Sequence, residues 1–469
     1  MSRILVTTTV AFVTLLPGPP AAGIAANDDL DRSVEAAIER ATTWLAGNLD
    51  RIETQNEGHA GGLEALVLYS LLAAGRSIQD PVVTRLEAAV VESTPKVSHL
   101  YTFVYATAAL ASLDDRKHRT YLEWFLTRLA EGQRAEGPGA GAWGYWLPPL
   151  PEPGIEPEPF VEDWWDNSNT QNAVFAQRVA LAHGLPVDPA VFERAVDYLL
   201  RAQNRDGGFG YAPKLRPDSS LAMSAGCLAA LAMAAEVLPP TSENERRRDR
   251  AQVALDKGFR KLDAQLVFPP RKSPWPFYAA YALERALCFG VPTSIDVEDV
   301  RRDLARWLVA AQSADGSYGT ESALGTAGRR GGRGGVGKKS RMRANTPGQG
   351  DVPRTCFALL TLVRATERTD RASVNIHRLV TSVSPIGRDR GRIKARVACQ
   401  GARALSPLIE VLESEPGPRA EFADECLREI TGRDMGFARA KSEDALREAI
   451  DGWVELYLDH PEVGRRAGG

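Results

Sequence analysis

The sequence predicts an all-α fold: an α/α toroid of about six outer/inner helix pairs, followed by a small helical segment. Three observations predict it. Two kinds of helical segment alternate along the chain, the alternation makes six pairs of roughly 50 residues, and one motif recurs position by position in two of them. Composition is that of a globular protein, with 44% hydrophobic residues, 25% charged residues and a formal charge of −3 over 469 residues. This excludes a mainly disordered, collagen-like or multi-span membrane chain and leaves no whole-chain argument for nucleic acid.

Taken in order, Arg3 precedes an apolar run from Ile4 to Leu16, then Pro17-Gly18-Pro19-Pro20 and small residues to Ala26. This reads as a secretory signal peptide over 1–26, with Gly23-Ile24-Ala25 as cleavage tripeptide. An uncleaved anchor is the alternative, although the run is short for a bilayer span. The rest of the chain is then expected outside the cytoplasm, periplasmic or extracellular. Over 27–370 the pairs fall at 31–75, 81–113, 119–184, 189–237, 245–290 and 296–366. The first member of a pair is amphipathic. In 191–203, Phe192, Ala195, Val196 and Leu199 share one face, and 300–312 repeats this with Val300, Leu304, Trp307, Leu308 and Ala311. The second member is apolar nearly all round, as in 62–74, 102–113, 220–235, 277–289 and 355–363, and must be buried on every side. Amphipathic helices outside and apolar helices inside satisfy both kinds at once. The variable unit length suits a closed ring better than the alternative, an open solenoid. Residues 371–469 form a separate helical tail, with helices expected at 402–412, 420–430 and 443–458.

The repeated motif is Tyr198-Leu199-x3-Gln203-x3-Gly207-x-Phe209, matched by Trp307-Leu308-x3-Gln312-x3-Gly316-x-Tyr318. It describes the end of an outer helix and its exit turn. The aromatic and the Leu bury, the Gln bonds open turn backbone, and the Gly allows a left-handed turn. The motif resembles the QW repeat of the prenyltransferase and squalene oxidase repeat proteins, the superfamily of terpenoid cyclases and protein prenyltransferase β subunits. The resemblance covers roughly residues 30–366. Elsewhere the pattern departs: Leu49 stands where Trp44-Leu45 would call for Gln, Gln133 and Gln265 lack the aromatic-Leu pair, and 141–145 resembles only the exit turn. In the tail, the run from Leu427 through Gly432 to Phe437, with the later Trp453, resembles a degenerate HEAT-like unit.

The resemblance implies chemistry that can be checked residue by residue. The Asp-x-Asp-Asp acid of the cyclases has no counterpart. The nearest run is Asp163-Trp164-Trp165-Asp166, followed by Asn167-Ser168-Asn169-Thr170. The zinc pair Asp-x-Cys of the prenyltransferases occurs only as Asp424-Glu425-Cys426 in the tail, so no metal and no cofactor are expected. Residues 162–170 open an inner helix and are the leading site candidate. Asp163 and Asp166 are candidate catalytic carboxylates. Trp164, Trp165, Asn167 and Asn169 are candidate ligand contacts, with Tyr101, Trp275 and Tyr278 from other inner-helix starts. The structural alternative is that Asp166 or Asn167 caps the helix and the Trp residues pack in a loop.

The stretch 324–350 carries seven basic residues and no acidic one among many Gly. It reads as a disordered insert, either a solvated loop or a contact to an anionic envelope surface. Cys227, Cys288, Cys356 and Cys426 lie in apolar runs and read as small buried hydrophobes. The expected function is an exported ligand-binding or scaffold protein that takes an apolar, isoprenoid-like ligand or a carbohydrate. The alternative is an enzyme, either a glycan-active α/α barrel or a terpenoid-cyclase-like isomerase or lyase.

Overall fold

A computed structural model describes residues 22–55, 61–93, 98–114, 117–148, 164–212, 217–268, 270, 273, 275–290, 292, 294–319, 350–364, 380, 394, 397, 404–414, 417–440 and 442–458. Residues 1–21 of the expected signal segment, Asp163, and the basic stretch apart from Gly350 lie outside them. Every regular element among the described residues is helical, as the sequence predicts. The only ladder contacts among them are two isolated bridges, His99 with Trp146 and Trp143 with Asp166.

In chain order the helices are α1 (Ala22–Gly47), α2 (Asp50–Gln55), α3 (Gly62–Ala73), α4 (Pro81–Ser93), α5 (Leu100–Asp114) and α6 (Arg119–Glu131). Then come α7 (Asn167–Ala182), α8 (Pro189–Ala202), α9 (Leu221–Glu236), α10 (Ser242–Asp263), α11 (Pro276–Gly290), α12 (Val297–Ala311) and α13 (Asp351–Leu362). The tail holds α14 (Leu405–Ser414), α15 (Pro418–Thr431) and α16 (Glu443–Leu458). The two kinds of helix are distinct in burial. In α8 only Val191, Phe192, Ala195, Val196, Tyr198 and Leu199 are buried, one stripe, whereas in α9 every residue from Ala222 to Ala235 is buried. A helix buried all round needs small side chains where neighbours approach, and α9 and α11 supply Ala225, Ala229, Ala279 and Ala282.

The buried helices contact one another in cyclic order. α3 packs on α5, α5 on α7, α7 on α9, α9 on α11, α11 on α13, and α13 returns to α3. The striped helices lie against them: α4 on α3, α6 on α5, α8 and α10 on α9, and α1 and α12 on α13. Side-chain caps fix where helices begin. Asp188 accepts from the Ala190 N–H ahead of Pro189, Ser220 from Met223, Thr241 from Asn244 and Asp296 from Asp299. Each such cap contributes about 1 kcal/mol.

The repeated motif is a brace between neighbouring outer helices. Gln203 donates from Nε2 to the Gly207 carbonyl of its own turn (2.9 Å) and to the Ala254 carbonyl of α10 (2.8 Å). Gln312 does the same to Gly316 (3.1 Å) and to Ala37 of α1 (2.8 Å), which joins the last outer helix to the first. The glycines, at φ of +93° and +95°, place their backbone against that neighbour, where a Cβ would stand 2.7 Å from the Lys257 carbonyl or 2.4 Å from that of Arg40. The N–H of the closing aromatic is held by a hydroxyl of the following inner helix: Phe209 by Ser224 (3.0 Å) and Tyr318 by Thr355 (3.1 Å).

A third copy is present that the sequence pattern leaves out. Gln133 donates from Nε2 to Gly141 O (3.1 Å) and to Val191 O of α8 (3.0 Å). Gly141 has φ of +89° and abuts the Arg194 carbonyl, and the Trp143 N–H reaches Thr170 Oγ1 at 3.2 Å. The turn is longer, with eight positions from Gln to Gly in place of four, and Arg128 stands where the other copies have an aromatic. Trp143 is the closing aromatic of this copy, and its indole N–H donates to the Leu129 carbonyl at 2.6 Å. Gln265, which looks equivalent in sequence, makes no such brace: its Oε1 is buried without a partner.

The tail has a core of its own, in which Leu408, Val411, Phe422, Cys426 and Trp453 are buried. Asp424 is buried there, accepts a hydrogen bond from the Trp453 indole (3.1 Å) and forms an ion pair with Arg428, whose Nε lies 3.0 Å from its Oδ2. Cys227, Cys288, Cys356 and Cys426 are all buried free thiols. No helix among the described residues is long and apolar enough to cross a membrane.

Candidate functional site

The start of α7 is fixed by the braces on either side of it. The Asp166 N–H donates to Trp143 O (3.3 Å), in the turn of the Gln133 brace, and the Asn167 N–H to Tyr211 O (2.9 Å), just beyond the Gln203 brace. Asp166 is the helix cap. Its Oδ1 accepts from the Asn169 N–H (2.7 Å), and its Oδ2 accepts from Asn169 Nδ2 (2.8 Å) and Trp164 Nε1 (2.7 Å). The carboxyl is fully buried. Burial raises its pKa, and hydrogen bonds from Asn169, Trp164 and Tyr211 offset only part of that rise. These three contacts are donated to it and commit its oxygens to the cap.

The other candidates have separate places. Asn167 is a buried strut: its Nδ2 donates to Gly210 O (2.8 Å) and its Oδ1 accepts from Tyr198 Oη (2.8 Å). Asn169 closes on Asp166, and its Oδ1 is buried with no partner. Trp165 lies under the Arg134 guanidinium, 4.8 Å from the ring centroid, so one stacking face is covered. Trp164 is half-buried, with its ring 6.4 Å from that of Tyr211. Trp275 is half-buried in the turn ahead of α11. Asp163 lies outside the described residues.

Tyr101 and Tyr278, from α5 and α11, converge on α7. Tyr101 Oη is 2.7 Å from Ser168 Oγ, and Asn172 Nδ2 donates to Tyr278 Oη at 3.0 Å. Asn172 Oδ1 stays buried without a partner. Around this point stand His99, stacked 5.7 Å from Tyr101 and edge-on to the half-exposed Trp146 at 5.1 Å, and the hydrogen-bonded hydroxyls of Tyr145 and Tyr211. One helical turn further in, the ring interior is aromatic. Phe357 of α13 lies 6.3 Å from Tyr105, 5.3 Å from Tyr278 and 5.8 Å from Tyr281. Phe175 of α7 stands edge-on to Tyr281 at 6.5 Å, and Arg285 lies over both rings.

Sequence reasoning brought Tyr101, Tyr278 and the start of α7 into one group, and the structure does bring them together. It missed Tyr105, Ser168, Asn172, Tyr281 and Arg285. The signal was present on α11, where Tyr278, Tyr281 and Arg285 follow helical spacing on one face of an otherwise apolar helix. Among the described residues no group of three or more His, Cys, Asp or Glu converges in a way that could hold a metal. Comparison of the chain with protein-family models, curated proteins and solved structures returns no match, so the functional argument rests on the residues themselves.

Proposed function

We propose that the chain is an exported α/α toroid, similar to the prenyltransferase and squalene oxidase repeat proteins, that serves as a ligand-binding or scaffold protein. The observation that carries this reading is the engagement of Asp166. An alkene-protonating acid must present a proton to its substrate, whereas this carboxyl is turned into a cap by three donor contacts. The missing Asp-x-Asp-Asp motif and the interlocked rings of Tyr105, Tyr281, Phe175 and Phe357 support the same reading. An apolar or carbohydrate ligand would enter past Tyr101, Tyr278, Trp146 and Trp164, where aromatic faces and hydroxyls alternate. The basic stretch 324–350 would add contact with an anionic envelope surface.

The test is solvent extraction and mass spectrometry of the purified protein, followed by incubation with linear polyprenes and with oligosaccharides. Co-purifying or retained ligand without turnover supports the reading. A second reading is favoured by the burial that raises Asp166: an acid working with Asp163 on an isoprenoid or a glycan. Cyclised or cleaved product, lost in Asp166→Asn, would establish it instead. Amino-terminal sequencing of protein recovered from the cell exterior tests export.

A further inference from the structure

The interior holds a buried cation that no carboxylate contacts directly. Arg285 is 1% exposed, and a guanidinium stays protonated at any ordinary pH. Its polar contact is a long one, Nη2 to Gln171 Oε1 at 3.4 Å. Its Nε has no partner, and among the described residues no carboxylate forms an ion pair with it. Glu284, its chain neighbour, acts on it only at longer range. The rings of Tyr281 and Phe175, 4.6 and 5.1 Å away, give cation–π attraction but accept no N–H bond in the plane of the fork. An unpaired buried charge is among the costliest features a protein interior carries.

The groups around it share the same deficiency. Tyr105 Oη and Tyr281 Oη are buried with no partner, and each lies within electrostatic reach of Arg285 and of the other. Burial pushes both phenols up, so they remain neutral donors. Three unpartnered donors from α5 and α11 thus surround one region, and what all of them lack is an acceptor carrying negative charge. Tyr101 and Tyr278, one turn away from Tyr105 and Tyr281 on the same helix faces, are only partly buried.

We propose that the ring interior is a binding site for a small oxyanion group, a carboxylate or phosphate, gripped by the Arg285 fork and by the hydroxyls of Tyr105 and Tyr281. A planar fork with flanking hydroxyl donors fits an oxyanion in a bidentate way and fits a halide poorly. The proposal deepens the binding-protein reading above and rests on it, because it names the headgroup that a retained ligand would carry.

The test uses the full chain, dialysed free of oxyanions, in thermal melts at constant ionic strength with inorganic phosphate, acetate, octanoate or chloride. A saturable rise of several degrees is expected with at least one oxyanion and none with chloride. Octanoate above acetate would identify a tailed carboxylate, and phosphate above both a free phosphate or phosphoester. Arg285→Met should abolish the saturable rise. If that variant does not fold, the shape-preserving pair Tyr105→Phe and Tyr281→Phe decides, with apparent affinity expected to fall at least tenfold. A rise that is linear in concentration and equal in the variants is solute exclusion and overturns the proposal, as does no rise at all. Failure here, with a neutral ligand found on solvent extraction, would leave the binding-protein reading standing without the oxyanion.

Discussion

Gln133→Ala tests the brace that the sequence pattern does not contain. The side chain is buried and makes three bonds: two donated to the carbonyls of Gly141 and Val191 (3.1 and 3.0 Å), and one accepted from Arg194 Nε at 2.7 Å. Truncation leaves the Gly141 carbonyl and one guanidinium N–H without a partner and removes the tie to the Val191 carbonyl, at the seam between the α6 exit turn and α8. At about 1 kcal/mol per bond, with a larger share for the charged donor, the expected loss is about 2–4 kcal/mol. Urea unfolding followed by far-UV circular dichroism measures it, with Gln265→Ala as the internal control. Gln265 has no brace to lose and should change stability by less than about 0.5 kcal/mol, the usual range for sites away from such features. Equal effects of the two substitutions would refute the third brace.

Four further outcomes are expected. Trp307→Ala removes a buried indole stacked on Phe277 at 5.4 Å and should cost about 3–5 kcal/mol in the same assay. Asp166 holds its proton to higher pH in the folded chain than in the unfolded one, so its contribution to stability falls as pH rises above the ordinary carboxylate value of 3.8. The melting difference between wild type and Asp166→Asn should therefore shrink or reverse over that interval and level off above it; a flat difference would contradict the raised value. The thiols of Cys227 and Cys356 are pushed up by burial, the latter to about 12, so pulse alkylation of the native protein followed by peptide mapping should leave both unmodified. Replacing residues 324–346 by a short Gly/Ser linker should leave the helical dichroism and the melting transition unchanged, since that composition offers little to pack.

The alternation of helix kinds was legible because it is written in burial itself: a stripe such as Phe192, Ala195, Val196 and Leu199 can face only one way, and 222–235 offers no polar face at all. The two regular braces were legible because their turns have equal length. The third was hidden by four extra turn residues and by Arg128; only its exit turn, Gly141-x-Trp143, keeps the spacing of the other two. At the site, the choice between cap and ligand for Asp166 could not be decided from sequence, because both roles use the same residue types ahead of a helix. The inner polar groups escaped for a different reason. Classifying α11 as apolar averages over Tyr278, Tyr281 and Arg285, and three residues on one face leave that average almost unchanged while defining what the interior presents.

The bond from Gln312 to Ala37 spans 275 residues of chain. The first outer helix therefore has as its neighbour on one side the outer helix that is made last. At a synthesis rate of roughly 5–20 residues per second, α1 waits for a time on the order of tens of seconds with Ala37, Ala41, Trp44 and Leu45 uncovered. A chain crossing a membrane from its amino end would carry that bare stripe into the new compartment first. Closure of the ring then becomes the slow, long-range step of assembly, and α1 the segment most in need of a chaperone's hold until α12 and α13 arrive.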